Sequence, residues 1–272
     1  MKKFLFYLVF TASVVTVIFN VSACKKDLNP DQVNASSIQD NSVAEKHFDA
    51  IFREVDDAAV ASGISGRGSK FTITFDTMNS TKIMTLDYGT SNVLCDDWIY
   101  RRGKIVVTWL GRYKDVGTEI LISTVDFYQN DIKIEGQKTV KNMGRNAQNQ
   151  LYWNIAVTGK ITDTDGKIFT WTSNRVRTWI AGESTKLIRL DDKYAISGGS
   201  QGKNKNGVNF TTTITKDLLI EFNCQYLLTA GTVEIVDADQ PNRKIIVDYG
   251  SGTCDRQGTY TVNGVTTSFI KR

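Results

Sequence analysis

Five aspartates in this chain stand where a hydrolytic carboxylate pair would need them. Asp87, Asp96, Asp97, Asp248 and Asp255 fall in turn-like stretches between strand-like runs. Two such groups held about 5–10 Å apart at one end of a fold can cleave a glycosidic bond. The plainer reading is that aspartate ends strands well, because its carboxylate accepts nearby backbone N–H groups. Histidine offers nothing further: His47 is the only one, so Ser-His-Asp and Cys-His arrangements have no base. Asp163-Thr164-Asp165-Gly166 opens like a calcium loop but lacks the later oxygen ligands and closing glutamate, which makes it a hairpin turn. Aromatic rings beside arginines form the remaining constellation. Trp98 and Tyr100 adjoin Arg101-Arg102, while Phe169, Trp171, Arg175, Arg177 and Trp179 share one face of a long strand. Such rings and guanidinium groups can stack on sugars or meet anions. The competing reading is core packing with arginine stems laid over the rings.

These residues need a scaffold, and the periodicity describes one. Phe48, Ile51, Phe52, Val55 and Ala59 form a helical stripe, preceded by the capping-box pattern Ser42-Val43-Ala44-Glu45, so a helix is expected over about 43–61. After Gly66, alternating runs such as Ile105-Val107-Trp109, Trp153-Ile155-Val157 and Val208-Phe210-Thr212-Ile214 are separated by turn clusters. Gly63 to Gly68 reads as a linker rather than a phosphate loop, since it follows a helix. The expected fold is mainly β: an antiparallel meander of about a dozen strands, curled into a sandwich or partial barrel, with one N-terminal helix. Asp-Tyr-Gly followed by Cys-Asp occurs twice, within 85–103 and 246–264, which suggests a duplication whose loops share one end of the fold.

The amino terminus supplies an address. Lys2-Lys3 precede an uncharged run from Phe4 to Val21, the layout of a secretory signal. Val21-Ser22-Ala23-Cys24 resembles the lipobox of bacterial lipoproteins, which implies cleavage before Cys24 and lipidation of its thiol. The chain then divides into a signal peptide over 1–23, a polar tether over 24–41 and a single β-rich domain over 42–272. A disordered tether of that length averages roughly 20–25 Å. The formal charge of +4 falls to +2 once the two signal lysines are removed, and the basic residues are scattered. Nucleic-acid binding therefore has no electrostatic footprint. Of the other cysteines, Cys224 lies on the apolar face of a strand and Cys254 follows one hairpin later, so a Cys224–Cys254 disulfide is the first expectation. Cys95–Cys254 is the alternative, should the two Cys-Asp loops be neighbours. No metal site and no cofactor motif are legible.

Asp87-Tyr88-Gly89…Cys95-Asp96…Gly103 to Thr108, Gly136 to Val140, and Cys224…Gly231 to Ile235…Asp248 to Asp255 resemble a group of Bacteroidota secreted lipoproteins. The resemblance implies that Cys224 and Cys254 occur together, and it implies no activity. Asp76-Thr77-Met78 is similar to the short site at which some Bacteroidota attach O-glycans. The expected function is a lipid-anchored, non-catalytic envelope module, at the outer membrane, that binds glycan or another envelope protein. Trp98, Trp171, Arg175, Arg177 and Trp179 are the candidate contacts. The alternative is a hydrolase of envelope or dietary glycan that uses the loop carboxylates.

Overall fold

The computed structural model describes residues 36–61, 71–112, 114–185, 188 and 190–271. The apolar opening, Cys24 and the linker Gly63–Gly68 lie outside them. One helix, α1 (Ser36–Ala61), precedes fourteen strands. These are β1 (Thr72–Asp76), β2 (Lys82–Asp87), β3 (Val93–Leu94), β4 (Tyr100–Trp109), β5 (Glu119–Gln129), β6 (Ile132–Arg145) and β7 (Leu151–Thr162). The series continues with β8 (Ile168–Ala181), β9 (Lys193–Lys203), β10 (Asn209–Glu221), β11 (Leu228–Asp237), β12 (Lys244–Ser251), β13 (Gln257–Val262) and β14 (Val265–Ile270). All pair antiparallel in sequence order from β1 to β14, with the short β3 set aside against β4, giving one open meander. The expected mainly β architecture is present, as a single unclosed sheet with one helix.

Short polar turns set this topology, because each lets the chain reverse and pair with the strand just made. Asn263-Gly264, at φ of 49° and 80°, joins β13 to β14. At Asp163 the carboxylate accepts the N–H groups of Asp165 and Lys167 at 3.0 and 2.9 Å. That stretch is the hairpin turn expected of it.

α1 lies across the strands rather than along them. Its start is held by β9–β11, where Asn204 donates to Ser37 at 2.8 Å and Asp237 also bonds Ser37. Its later turns reach Arg101 in β4 through Glu54 at 3.1 Å. From Ser37 to Glu54 is about 26 Å along a helix axis. The strands that carry the two anchors would lie about 34 Å apart, seven spacings, in a flat sheet. The sheet therefore curls around the helix, and the core fills the trough. Phe48, Ile51 and Val55 pack there with Leu86, Ile105, Phe127, Ile134, Val157, Ile161, Trp171 and Phe210.

Phe48 inserts where two strands carry no side chain. Gly136 and Gly159 face each other across β6 and β7. A Cβ on Gly159 would lie 2.3 Å from the Phe48 ring. The expected helical stripe is thus correct, but α1 begins seven residues before the expected start, inside the segment assigned to the tether. Ser36, Ser37, Asp40 and Asn41 are polar enough to suggest disorder, yet each is buried against polar partners. Ser42 is accordingly an exposed mid-helix residue, not a cap.

Candidate functional site

Strand alternation decides which of the candidate aromatics meets solvent. On β8, Phe169, Trp171, Ser173 and Trp179 point into the trough. Trp171, 3% exposed, donates its indole N–H to Asn41 Oδ1 at 2.9 Å and stacks on Phe48. Trp179 donates to Asp192 at 3.0 Å and stacks on Tyr194, while Lys114 covers its ring at 4.3 Å. Arg175 pairs with Glu45 of α1. Arg177 lies 5.0–5.5 Å from the ring centres of Phe52, Trp153 and Tyr194. The five residues do share one face, as the spacing says. That face is turned to the helix and its rings are covered, so Trp171, Arg175, Arg177 and Trp179 form no open ligand platform. The physical reason is the curl, which converts one face of the sheet into the core.

Trp98 is the exception. Its side chain is 81% exposed, at the tip of the loop between β3 and β4, and its backbone is held at φ 62°. An L-residue in that conformation costs roughly 1–2 kcal/mol, so the loop must be fixed by something else. Two backbone bonds close it, from Cys95 N to Ile99 O at 3.0 Å and from Trp98 N to Cys95 O at 3.1 Å. Asp97 Oδ1 accepts from Ile99 N at 3.2 Å. Both carboxylate oxygens of Asp97 then take Arg101, at 2.7 and 2.6 Å.

Arg101 is wholly buried and also meets Glu54 of α1 at 3.1 Å. Tyr88 completes the link by donating to the other Glu54 oxygen at 2.9 Å. Hydrogen bonding from Arg101 holds the Asp97 carboxyl below the usual carboxylate range. Burial and the neighbouring Glu54 push the Tyr88 phenol up. The free thiol of Cys95 sits buried beside this network, also pushed up by burial.

The adjacent residues point the other way. Arg102 faces outward over Tyr128 at 3.7 Å, at the edge of a surface hollow of about 330 Å³ that Asp87, Lys104 and Asp126 also line. It bonds Asn92 at 2.7 Å and pairs with Asp131. Tyr100, 46% exposed, takes Asn130 Oδ1 on its backbone N–H at 2.9 Å. Thus an exposed indole, a half-exposed phenol and a stacked arginine share one end of the sheet. Sequence alone groups Arg101 with Arg102, whereas period-2 alternation along β4 sends one inward and one outward. Glu54, which braces Arg101, and Asn41, which accepts the Trp171 indole N–H, carried no sequence signal beyond their places on the helix.

The carboxylates chosen for hydrolysis do not assemble. The strand registers put Asp87 and the Asp96-Asp97 loop at the end of the sheet where β5 turns into β6. Asp248 and Asp255 belong to the opposite end, where β12 turns into β13. Asp97 is committed to Arg101, and Asp255 accepts Gln257 N at 2.8 Å. The two Asp-Tyr-Gly segments do share local geometry. Asp87 and Asp248 each accept the N–H of the glycine two residues on, at 2.9 and 2.8 Å.

Because those two loops lie at opposite ends of the sheet, Cys95 does not meet Cys254. The disulfide is Cys224–Cys254, with a Cα separation of 5.5 Å. Among the described residues, no group of three His, Cys, Asp or Glu side chains is placed to hold a metal ion, and no helix is long and apolar enough to cross a membrane. No family model matches the chain, and neither a curated protein nor a solved structure does.

Proposed function

We propose that this protein is an envelope lipoprotein, lipidated on Cys24 at the outer membrane, whose β domain is a non-catalytic module that binds glycan through Trp98. The lipobox-like Val21 to Cys24 and the resemblance to Bacteroidota lipoproteins motivate the anchorage. The Cys224–Cys254 disulfide supports it, because such bonds persist in oxidising compartments. Trp98 carries the binding reading. A large apolar ring held in solvent, on a strained backbone that a buried arginine cluster braces, is costly to stability. A flat indole beside Tyr100 and Arg102 suits a sugar ring, whose C–H face stacks on aromatics while its hydroxyls bond polar neighbours.

Two measurements test the parts separately. A palmitate analogue should label the full-length protein in cells, and Cys24→Ser should abolish the label. Absence of label on the unaltered chain sinks the anchorage. On an array of envelope and dietary glycans, the soluble domain should be retained, and Trp98→Ala should lower retention at least tenfold with an unchanged melting temperature. Equal retention by the variant removes Trp98 from the reading. No retention by the native domain removes glycan as the ligand.

A further inference from the structure

An open meander has two edges, and this one leaves β14 without a neighbour on one side among the described residues. Its ladder to β13 runs without a bulge, from Val262↔Val265 through Gln257↔Ile270. A two-residue turn closes on a hydrogen-bonded pair, so Val265, Thr267 and Phe269 direct their N–H groups toward β13. Lys271 continues that phase, donating to Arg256 O at 2.7 Å. The N–H and C=O groups of Thr266, Ser268 and Ile270 therefore point outward. Edge strands are ordinarily guarded by lysine, proline, a bulge or extreme shortness. β14 has six residues, all exposed except the half-buried Phe269. No charged residue occurs from Gln257 to Ile270.

We infer that β14 is the seam of a twofold dimer, pairing antiparallel with β14 of a second copy of this chain. Self-pairing about a twofold axis brings each residue opposite a near neighbour from the same strand. A charged edge would thus oppose like charges, and a charge-free edge does not. Only registers that pair outward-facing groups with outward-facing groups satisfy the ladder. Centring the axis on Thr267 does so. It sets Thr266 opposite Ser268 on the outer face, and Val265 opposite Phe269 on the trough face, where Phe269 already packs edge-on against Tyr249. Hydroxyl pairs and aromatic–β-branched pairs both favour sheet pairing. The other edge, β1, is shorter and carries Asp76. A closed two-copy assembly also removes both β14 edges from solvent, so it ends instead of growing into a fibre.

The mature chain bearing Cys24→Ser should run as a species of twice the monomer mass in sedimentation or light scattering. Thr267→Lys places two ammonium groups opposite each other across the axis and should yield monomer. Thr267→Glu should do the same, and mixing the two variants should restore the doubled mass as a mixed species. Ser268→Pro removes an outward N–H and no bond to β13, so it too should give monomer, with an unchanged circular dichroism spectrum and the melting curve of the Thr267→Lys monomer. A native chain that stays monomeric over the whole concentration range overturns the proposal. So does a dimer that persists in both Thr267→Lys and Ser268→Pro.

Discussion

Trp98 and Arg101 stand three residues apart and do opposite work, one in solvent and one wholly buried. Trp98→Gly separates function from stability. Glycine relieves the left-handed backbone, a gain of roughly 1–2 kcal/mol, against about 0.4–1 kcal/mol of added freedom in the unfolded chain. The expected result is a domain equally stable or more stable by up to about 1.5 kcal/mol in urea titration, with glycan retention lost. Arg101→Ala should act in reverse. Removing one partner of a buried pair costs roughly 3–5 kcal/mol, and the low end applies because the Asp97 side chain is 44% exposed. The loop should then lose its support, and Trp98 fluorescence should become more mobile. Sequence offered Trp98 and Arg101-Arg102 as a cluster. It did not show which guanidinium was structural, because that depends on which face of β4 the helix covers.

At the scale of elements, the helix and sheet fit by matched absence and presence of side chains. Gly136 and Gly159 are legible as strand glycines, but their purpose appears only when Phe48 is placed over them. Gly159→Ala should cost roughly 1–3 kcal/mol by overpacking. Combining it with Phe48→Leu should recover part of that loss, a coupling that a double-mutant cycle in urea would measure. The same packing explains the misplaced start of α1. Asp40 accepts the N–H of Lys205 at 2.8 Å, and Asn41 accepts from both Trp171 and Ser200 at 2.9 Å. A helical turn with no apolar stripe is stable here because its polar groups are satisfied by the sheet. Composition reads those residues as tether, since the partners are about 130 or more residues away in sequence.

Across the molecule, ion pairs and one covalent link set the response to solution conditions. Asp87, Asp97, Asp131, Glu135, Glu183 and Glu221 are each held low, chiefly by a hydrogen bond from a lysine or arginine. A carboxylate depressed in the folded state contributes stability that is present above its unfolded value and lost as pH falls through the folded one. The domain should therefore lose stability below about pH 4. Asp97→Asn should flatten part of that dependence in urea titrations at pH 7 and pH 3. Reducing Cys224–Cys254, which closes a sequence separation of 30 residues, should cost roughly 3–4 kcal/mol. A melting curve with and without reductant reads that loss directly.

Local regularities determined much of this protein. Period-2 alternation, turn clusters and a 3.6-residue stripe specified an antiparallel meander with one helix, and strand-face placement favoured the observed disulfide. Each depends on neighbours only a few residues apart. Tertiary structure alone decided which face of the sheet became the trough, and hence that Trp171 and Trp179 are core, with Arg175 and Arg177 half-buried on the same face, while Trp98 is in solvent. It also decided that the two Asp-Tyr-Gly loops occupy opposite ends of the sheet. Strand order fixes which ends adjoin, and curvature fixes which face is inside. Both arise from contacts summed over the whole sheet, so no single segment carries them.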